Sequence, residues 1–126
     1  MLDLFQQVCI AQAPAFSSHA IQAAADRVIP KGSDQETPSA KVTWTQDKSC
    51  TISASKDSPL TAPISFATSD SFVEQSLDRL GGGTIILRKS ERNNSVFQYR
   101  MATGSGTFEI IFNTDNKHQN LNITKR

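Results

Sequence analysis

The sequence predicts an α+β fold: two N-terminal helices, a β-hairpin, a third helix and a C-terminal antiparallel β-meander, with the helices on one face of the sheet. Three observations predict this class. Apolar residues recur at helical spacing before residue 30, they alternate from residue 41 onward, and short polar turns separate the alternating segments after residue 84. The 126 residues are the length of one domain, so we predict a single domain over 1–126.

The first third of the chain carries two helix patterns. In the first, apolar residues recur between residues 2 and 11, and Pro14 then breaks the chain. In the second, Ser17 or Ser18 is the N-cap, an alanine-rich apolar face follows, and the helix ends before Pro30. Both helices are predicted to pack through these apolar faces.

A third helix is predicted just before three consecutive glycines. Ser71 and Glu74 form a capping-box pattern, and an apolar stripe continues to Leu80. A phosphate-binding loop runs from a strand through glycines into a helix, whereas here the helix comes first and the strand follows. Gly81 therefore stands where a left-handed C-cap is expected, and we predict that residues 81–83 form a turn.

The remaining segments read as strands. Val42 and Trp44 share one face of segment 41–46, and a second alternating segment begins near Cys50, which together predict a hairpin. Short turns between the later strands predict an antiparallel meander with one core face and one solvated face. Its strands are Thr84–Lys89, Val96–Ala102, Thr107–Asn113 and Leu121–Lys125.

Three charged side chains of the meander are candidates for convergence on that solvated face. They are the strand residues Arg88, Arg100 and Glu109. Cross-strand charge pairs of small energetic worth are the simpler interpretation, and we favour it over a site.

Composition narrows the classes of partner. Charged residues make up 20% of the chain and the net charge is +1, with the two signs interspersed. Binding to a nucleic-acid backbone or to an anionic membrane needs a stronger basic balance. No run reaches the roughly 18 apolar residues of a membrane helix. We therefore predict no nucleic-acid partner and no integral membrane segment, and expect a protein partner.

The two cysteines, Cys9 and Cys50, are too far apart for a CxxC redox or metal motif. His19 and His118 are distant from each other and from the cysteines, so we predict no metal site. An even cysteine count with long spacing suits an oxidising compartment, and we favour a disulfide. Two buried free thiols are the alternative.

Catalytic chemistry finds little support in the residues. A Ser/His/Asp set exists on paper, but no GxSxG elbow accompanies it, and both histidines are expected to be solvated. We predict no cofactor and lean against an enzyme. The alternative is a small hydrolase or ligand carrier that uses a groove between helices and sheet. Four aromatic residues could line such a groove, although aromatic stripes of this kind are more often buried in the core. Those aromatics are Phe97, Tyr99, Phe108 and Phe112.

The segment from Pro30 to Ala40 is polar and rich in chain-breaking residues, and it is predicted to be a flexible loop. Loops on a rigid scaffold are the usual carriers of recognition, and tryptophan is enriched among interface hot spots. We therefore predict partner contacts on Asp34, Glu36, Lys41 and Trp44. The competing interpretation places Trp44 in the core.

The opening Phe5-x-x-x-Cys9-Ile10 with Pro14, followed by Cys50 after a tryptophan-bearing strand, resembles small periplasmic or lipoprotein-like envelope proteins of proteobacteria. The resemblance covers the first fifty residues or so and implies an exported domain in which Cys9 is bonded to Cys50.

No signal peptide follows Met1, so the chain is expected to be either a mature exported domain with a replaced start or a cytosolic protein. We expect a periplasmic or secreted location, with the cytoplasm as the alternative. The expected function is a non-enzymatic protein-binding module of the bacterial cell envelope, such as an immunity or inhibitor protein.

Overall fold

Six antiparallel strands form one sheet in the computed structural model, which describes residues 1–31, 39–55, 57–93, 95–114 and 118–126. The strands are β1 Lys41–Thr45, β2 Ser49–Ser55, β3 Gly83–Glu91, β4 Val96–Thr103, β5 Gly106–Asn113 and β6 His118–Lys125. Their order in the sheet is β1-β2-β6-β5-β4-β3. The predicted hairpin and the predicted meander are both present, and pairing of β2 with β6 joins them into one sheet.

The helices are α1 Leu2–Val8, α2 Ser18–Val28 and α3 Phe66–Arg79, with a short 3-10 turn over Ile10–Gln12. The first two agree with the sequence patterns, and Ser17 is the N-cap residue of α2. Residue 29 ends α2 in an extended conformation because the following Pro30 disfavours helical backbone before it. The predicted α+β class is confirmed, with the helices packed on one face of the sheet.

The predicted start of α3 is wrong, because the helix begins at Phe66 and not at Ser71. Ser65 is the N-cap: its Oγ accepts a hydrogen bond from the Thr68 backbone N–H at 3.1 Å. The earlier turn forms because the Phe66 ring packs on Phe97, with ring centroids 5.4 Å apart. This tertiary contact adds more than a turn to the helix, and the capping-box pattern lies inside it.

The core lies between the helices and the inner face of the sheet. Phe5 of α1 packs on Phe72 of α3 and on Phe112 of β5, with ring centroids 5.8 and 6.3 Å away. The alternation of the strands places their apolar residues inward, as predicted, so the aromatics considered for a ligand groove are core residues. The inward residues are Cys50, Ile52, Ala54, Phe97, Tyr99, Met101, Phe108, Ile110, Phe112, Leu121 and Ile123.

One buried polar contact ties α3 to the sheet. The hydroxyls of Ser69 and Tyr99 lie 2.7 Å apart, and the Ser69 hydroxyl also donates to the Phe66 carbonyl at 2.9 Å. Burial raises the pKa of the Tyr99 phenol, so it stays protonated and available as a hydrogen-bond donor. Both hydroxyls are fully enclosed and satisfied, which locates α3 over β4.

The glycine segment caps α3, as predicted. Gly81 and Gly82 have φ values of +92° and +75°. The Gly81 N–H donates to the Asp78 carbonyl at 3.3 Å and the Gly82 N–H to the Leu77 carbonyl at 2.7 Å, which is the Schellman pattern. The Gly82 carbonyl then accepts from the Gly104 N–H at 3.0 Å. The glycines therefore end the helix and dock it on the β4–β5 turn.

The predicted disulfide is confirmed. Cys9, directly after α1, is bonded to Cys50 of β2, and their Cα atoms lie 5.4 Å apart. Both residues are fully buried. The bond fastens the N-terminal helices to the hairpin half of the sheet.

Candidate functional site

A groove of about 390 Å³ lies between α2 and the edge strand β1, and we call it the α2–β1 groove. Its floor and walls are apolar, whereas its rim carries charged and amide side chains. The apolar lining residues are Ala25, Ile29, Ala40, Val42 and Trp44, and the rim residues are Gln22, Asp26, Lys31 and Lys41.

The local sequence explains how this groove forms. Val42 pairs with Ile52 and Trp44 with Cys50, so both β1 side chains point to the helix-covered face. On α2, Ala25 faces them with only a methyl group, which leaves space between the helix and the strand. Ile29 follows one helical turn later and closes one end of the apolar lining.

Trp44 is neither fully buried in the core nor fully exposed for partner contact, the two roles that its sequence context allows. The side chain is half-buried and packs against the edge of the core. Its indole Nε1–H donates to the Ser18 hydroxyl at 3.1 Å, which ties β1 to the start of α2. The rest of the ring forms a wall of the groove, so part of its apolar surface is open to a partner.

Among the described rim residues, lysines outnumber carboxylates. Asp26 accepts a hydrogen bond from the Gln22 amide at 2.9 Å. Lys31 and Lys41 are exposed, and neither ammonium group lies within ion-pair distance of a carboxylate in the described parts of the chain. Among the described residues, two lysines without an ion-pair partner therefore flank the apolar lining.

The predicted contact residues are only partly brought together. Lys41 and Trp44 both line the α2–β1 groove, whereas Asp34 and Glu36 lie outside the described residues, as does most of the predicted loop over 30–40. Ser39 donates to the Pro30 carbonyl through its N–H at 2.8 Å and its hydroxyl at 2.6 Å, which fixes residue 39 beside the end of α2.

The α2 side of the groove is not among the predicted contact residues. A signal for it exists, because Ala25 and Ile29 are four residues apart, which is the spacing of one helix face. Lys31 carried no such signal, because its place on the rim depends on how the chain leaves α2 beyond Pro30.

A second, polar hollow of about 480 Å³ lies at the start of β1 and shares Ala40 and Lys41 with the groove. His118 lines it, beside serine side chains of β2. Both His118 and His19 are exposed, and over the described ranges neither imidazole is hydrogen-bonded to a hydroxyl or a carboxylate. The hydrolase alternative requires a base oriented toward a hydroxyl nucleophile, and neither described histidine is held by such a contact.

The charged residues of the meander do not converge as strict alternation would place them. A β-bulge interrupts the β3–β4 register between Ile85 and Leu87, so Arg88 lies opposite Tyr99 on the helix-covered face. There its guanidinium pairs with Asp70 at 2.7 Å and also with Glu74, both on α3. The expectation that Arg88 lies with the other two charges is therefore wrong.

Arg100 and Glu109 remain together on the open face. They are direct cross-strand partners, and Arg100 Nη2 donates to Glu109 Oε2 at 3.2 Å. Gln98 Nε2 donates to the same oxygen at 3.0 Å. This group is a cross-strand ion pair, as the simpler interpretation predicted.

In the described ranges, no three His, Cys, Asp or Glu side chains are grouped as metal ligands would be. Among the helices described, none combines the length and the apolar character needed to cross a bilayer.

Comparison with known proteins yields no relative: neither a family model, nor a curated protein, nor a solved structure matches this chain.

Proposed function

We propose that this protein is a non-enzymatic protein-binding module of the bacterial cell envelope, and that it contacts its partner through the α2–β1 groove. The observation that carries the proposal is the groove itself: an apolar lining that includes the half-buried Trp44, flanked by Lys31 and Lys41. A half-open tryptophan in a concave apolar setting is the usual form of an interface hot spot.

The envelope location is supported by the disulfide. Cys9 and Cys50 are bonded and fully enclosed in the core, and such bonds persist in oxidising compartments. The proposal therefore includes a periplasmic or secreted location. A small, cross-linked scaffold with a preformed groove also suits an immunity or inhibitor protein, which must bind without rearranging.

The partner is identified by site-specific cross-linking. A photo-reactive amino acid replaces Lys41 at the groove and, as the control, Arg79 at the exposed end of α3. Each variant is incubated with an envelope extract from the source organism. We expect a discrete protein adduct from position 41 and none from position 79. Equal adducts from both positions, or none from position 41, would contradict the proposed site.

Trp44→Ala tests the role of the tryptophan. The side chain is half-buried, so its removal should lower the free energy of unfolding by only about 1–2 kcal/mol, while affinity for the cross-linked partner falls by at least tenfold, about 1.4 kcal/mol. Denaturant titration and isothermal calorimetry measure the two effects.

Phe66→Ala is the matched control, because Phe66 is also a half-buried aromatic on the edge of the core but lies on α3. Its loss should lower stability and leave affinity unchanged. If Trp44→Ala unfolds the chain while Phe66→Ala does not, Trp44 is a core residue and the contact role is wrong.

A further inference from the structure

We infer that the part of the partner recognised at the α2–β1 groove is an extended, acidic and apolar segment, which adds to the sheet as a further strand along β1. The inference rests on the proposed function and specifies the chemistry of its ligand. Three features of the structure carry it: the difference between the two sheet edges, the facing of the β1 side chains, and the charge of the rim.

The two edges of the sheet, β1 and β3, differ in how they resist strand addition. β3 contains the bulge at Ile86, and charged side chains follow it, among them the Lys89–Glu91 pair at 2.7 Å. Bulges and edge charges are the devices by which proteins block pairing at an exposed edge. β1 pairs with β2 through five consecutive residues without a register shift, and residues 42–45 carry no charge.

The β1 side chains point alternately to the two faces of the sheet, which suits a peptide with alternating apolar and polar residues. Val42 and Trp44 point to the groove, while Thr43 and Thr45 point to the open face and are exposed. Side chains of an added strand would alternate in the same way. Its inward residues would therefore rest on Val42, Trp44 and Ile29, and its outward residues would remain in solvent.

The rim sets the charge of the segment. Lys31 and Lys41 lie at the same end of the groove as the start of β1, and within the described residues neither has a carboxylate partner. Among the described rim residues the carboxylate is Asp26, and it is engaged by Gln22. An acidic residue flanking the apolar positions of the peptide would complement the two ammonium groups.

Peptide selection followed by backbone alteration tests the inference. A phage library of short linear peptides is selected on the intact, oxidised chain, and the tightest-binding peptide is synthesised in three forms. One has the natural backbone, and the other two carry N-methyl groups on the odd-numbered or on the even-numbered residues, which keeps the side chains but removes the N–H donors of that register. We expect acidic and apolar residues in the selected sequence and at least tenfold weaker binding of one N-methyl register.

Protein variants and hydrogen exchange locate the peptide. Lys41→Glu should weaken binding about fivefold, whereas Lys48→Glu, at an exposed lysine in the β1–β2 turn, should leave it unchanged. The β1 backbone amides whose N–H bonds point away from β2 should exchange more slowly when the natural-backbone peptide is bound.

The outcomes separate the inference from the proposed function. Selected peptides that bind equally well in both N-methyl registers and depend on Trp44 would overturn strand addition and leave the groove as a binding site. Peptides that are basic, that ignore the Lys41 variant, or that fail to emerge from selection would overturn the acidic extended ligand. Concentration-dependent dimers that protect β1 amides without peptide would assign the edge to a second copy and also overturn it.

Discussion

At the scale of single residues, Glu109 shows how the open face of the sheet holds a charge. The residue is 9% exposed, so burial raises the pKa of its carboxyl. Hydrogen bonds from Gln98 and Arg100 and the charge of Arg126, whose Nη1 lies 3.7 Å from Glu109 Oε2, outweigh burial and hold the pKa below its usual range. The folded chain therefore binds this proton less readily than the unfolded chain does.

This difference predicts a pH effect on stability. Glu109 contributes fully above the carboxyl range of the unfolded chain, and its contribution is lost as the pH falls through the lowered folded-state pKa. Glu109→Gln should cost about 1–2 kcal/mol near pH 7 and flatten the acid limb of the stability profile. Asp57→Asn, at an exposed carboxylate without an ion pair among the described residues, is the control in denaturant titrations. An acid limb as steep as that of the parent would refute this role.

At the scale of elements, the turn from α3 into β3 depends on glycine for two different reasons. Gly82 needs a positive φ of +75°, but a Cβ there would meet nothing within 4 Å. Gly83 has a φ of +145°, and a Cβ on it would lie 2.0 Å from the Ala102 carbonyl oxygen. The first requirement is conformational and the second is steric, because β3 starts against the backbone of β4.

The two glycines should therefore differ in tolerance. Gly82→Ala is expected to cost about 1 kcal/mol through its backbone conformation alone. Gly83→Ala is expected to cost about 3 kcal/mol or more, since the neighbouring strand must move. Urea titration of the two variants measures the difference. A thermal shift with added nucleotide should show no stabilisation of either, and equal costs at the two positions would refute the steric argument.

At the scale of the whole molecule, two long-range connections hold the fold together. Pairing of β2 with β6 joins the hairpin to the meander, and the Cys9–Cys50 bond fastens the N-terminal helices to β2. Both meet on the same strand, which forms one side of the core under α1. The α2–β1 groove lies just beyond it, so its geometry depends on these two connections.

Loss of the disulfide should therefore be measurable in the whole chain. Closing a loop with a sequence separation of 41 residues stabilises by about 4 kcal/mol on the chain-entropy model, and the Cys9→Ala, Cys50→Ala double variant should lose that amount in denaturant titration. Thiol titration of the unfolded, non-reduced parent should find no free thiol. Two reactive thiols per oxidised chain would refute the bond and its support for an envelope location.

Part of the candidate site was visible in local patterns. Lys41 and Trp44 are predicted as contact residues because they follow a breaker-rich loop and include the tryptophan, and both line the groove. Arg88 was placed on the wrong face, since nothing in its own segment announces the bulge at Ile86. The missed start of α3 has a similar cause: Phe66 joins the helix because its ring packs on β4.

The sequence by itself determined what depends on near neighbours: the first two helices and the main body of the third, the hairpin and the meander, the glycine cap on α3 and a solvated second face of the sheet. The tertiary structure alone decided that β2 pairs with β6, that Arg88 turns toward α3, and that α2 stands off β1 to leave a groove. The reason is the distance along the chain over which each kind of interaction acts. Helix caps and strand alternation are set by residues a few positions apart, whereas strand order and the space between elements are set by how side chains distant in the chain fill one core.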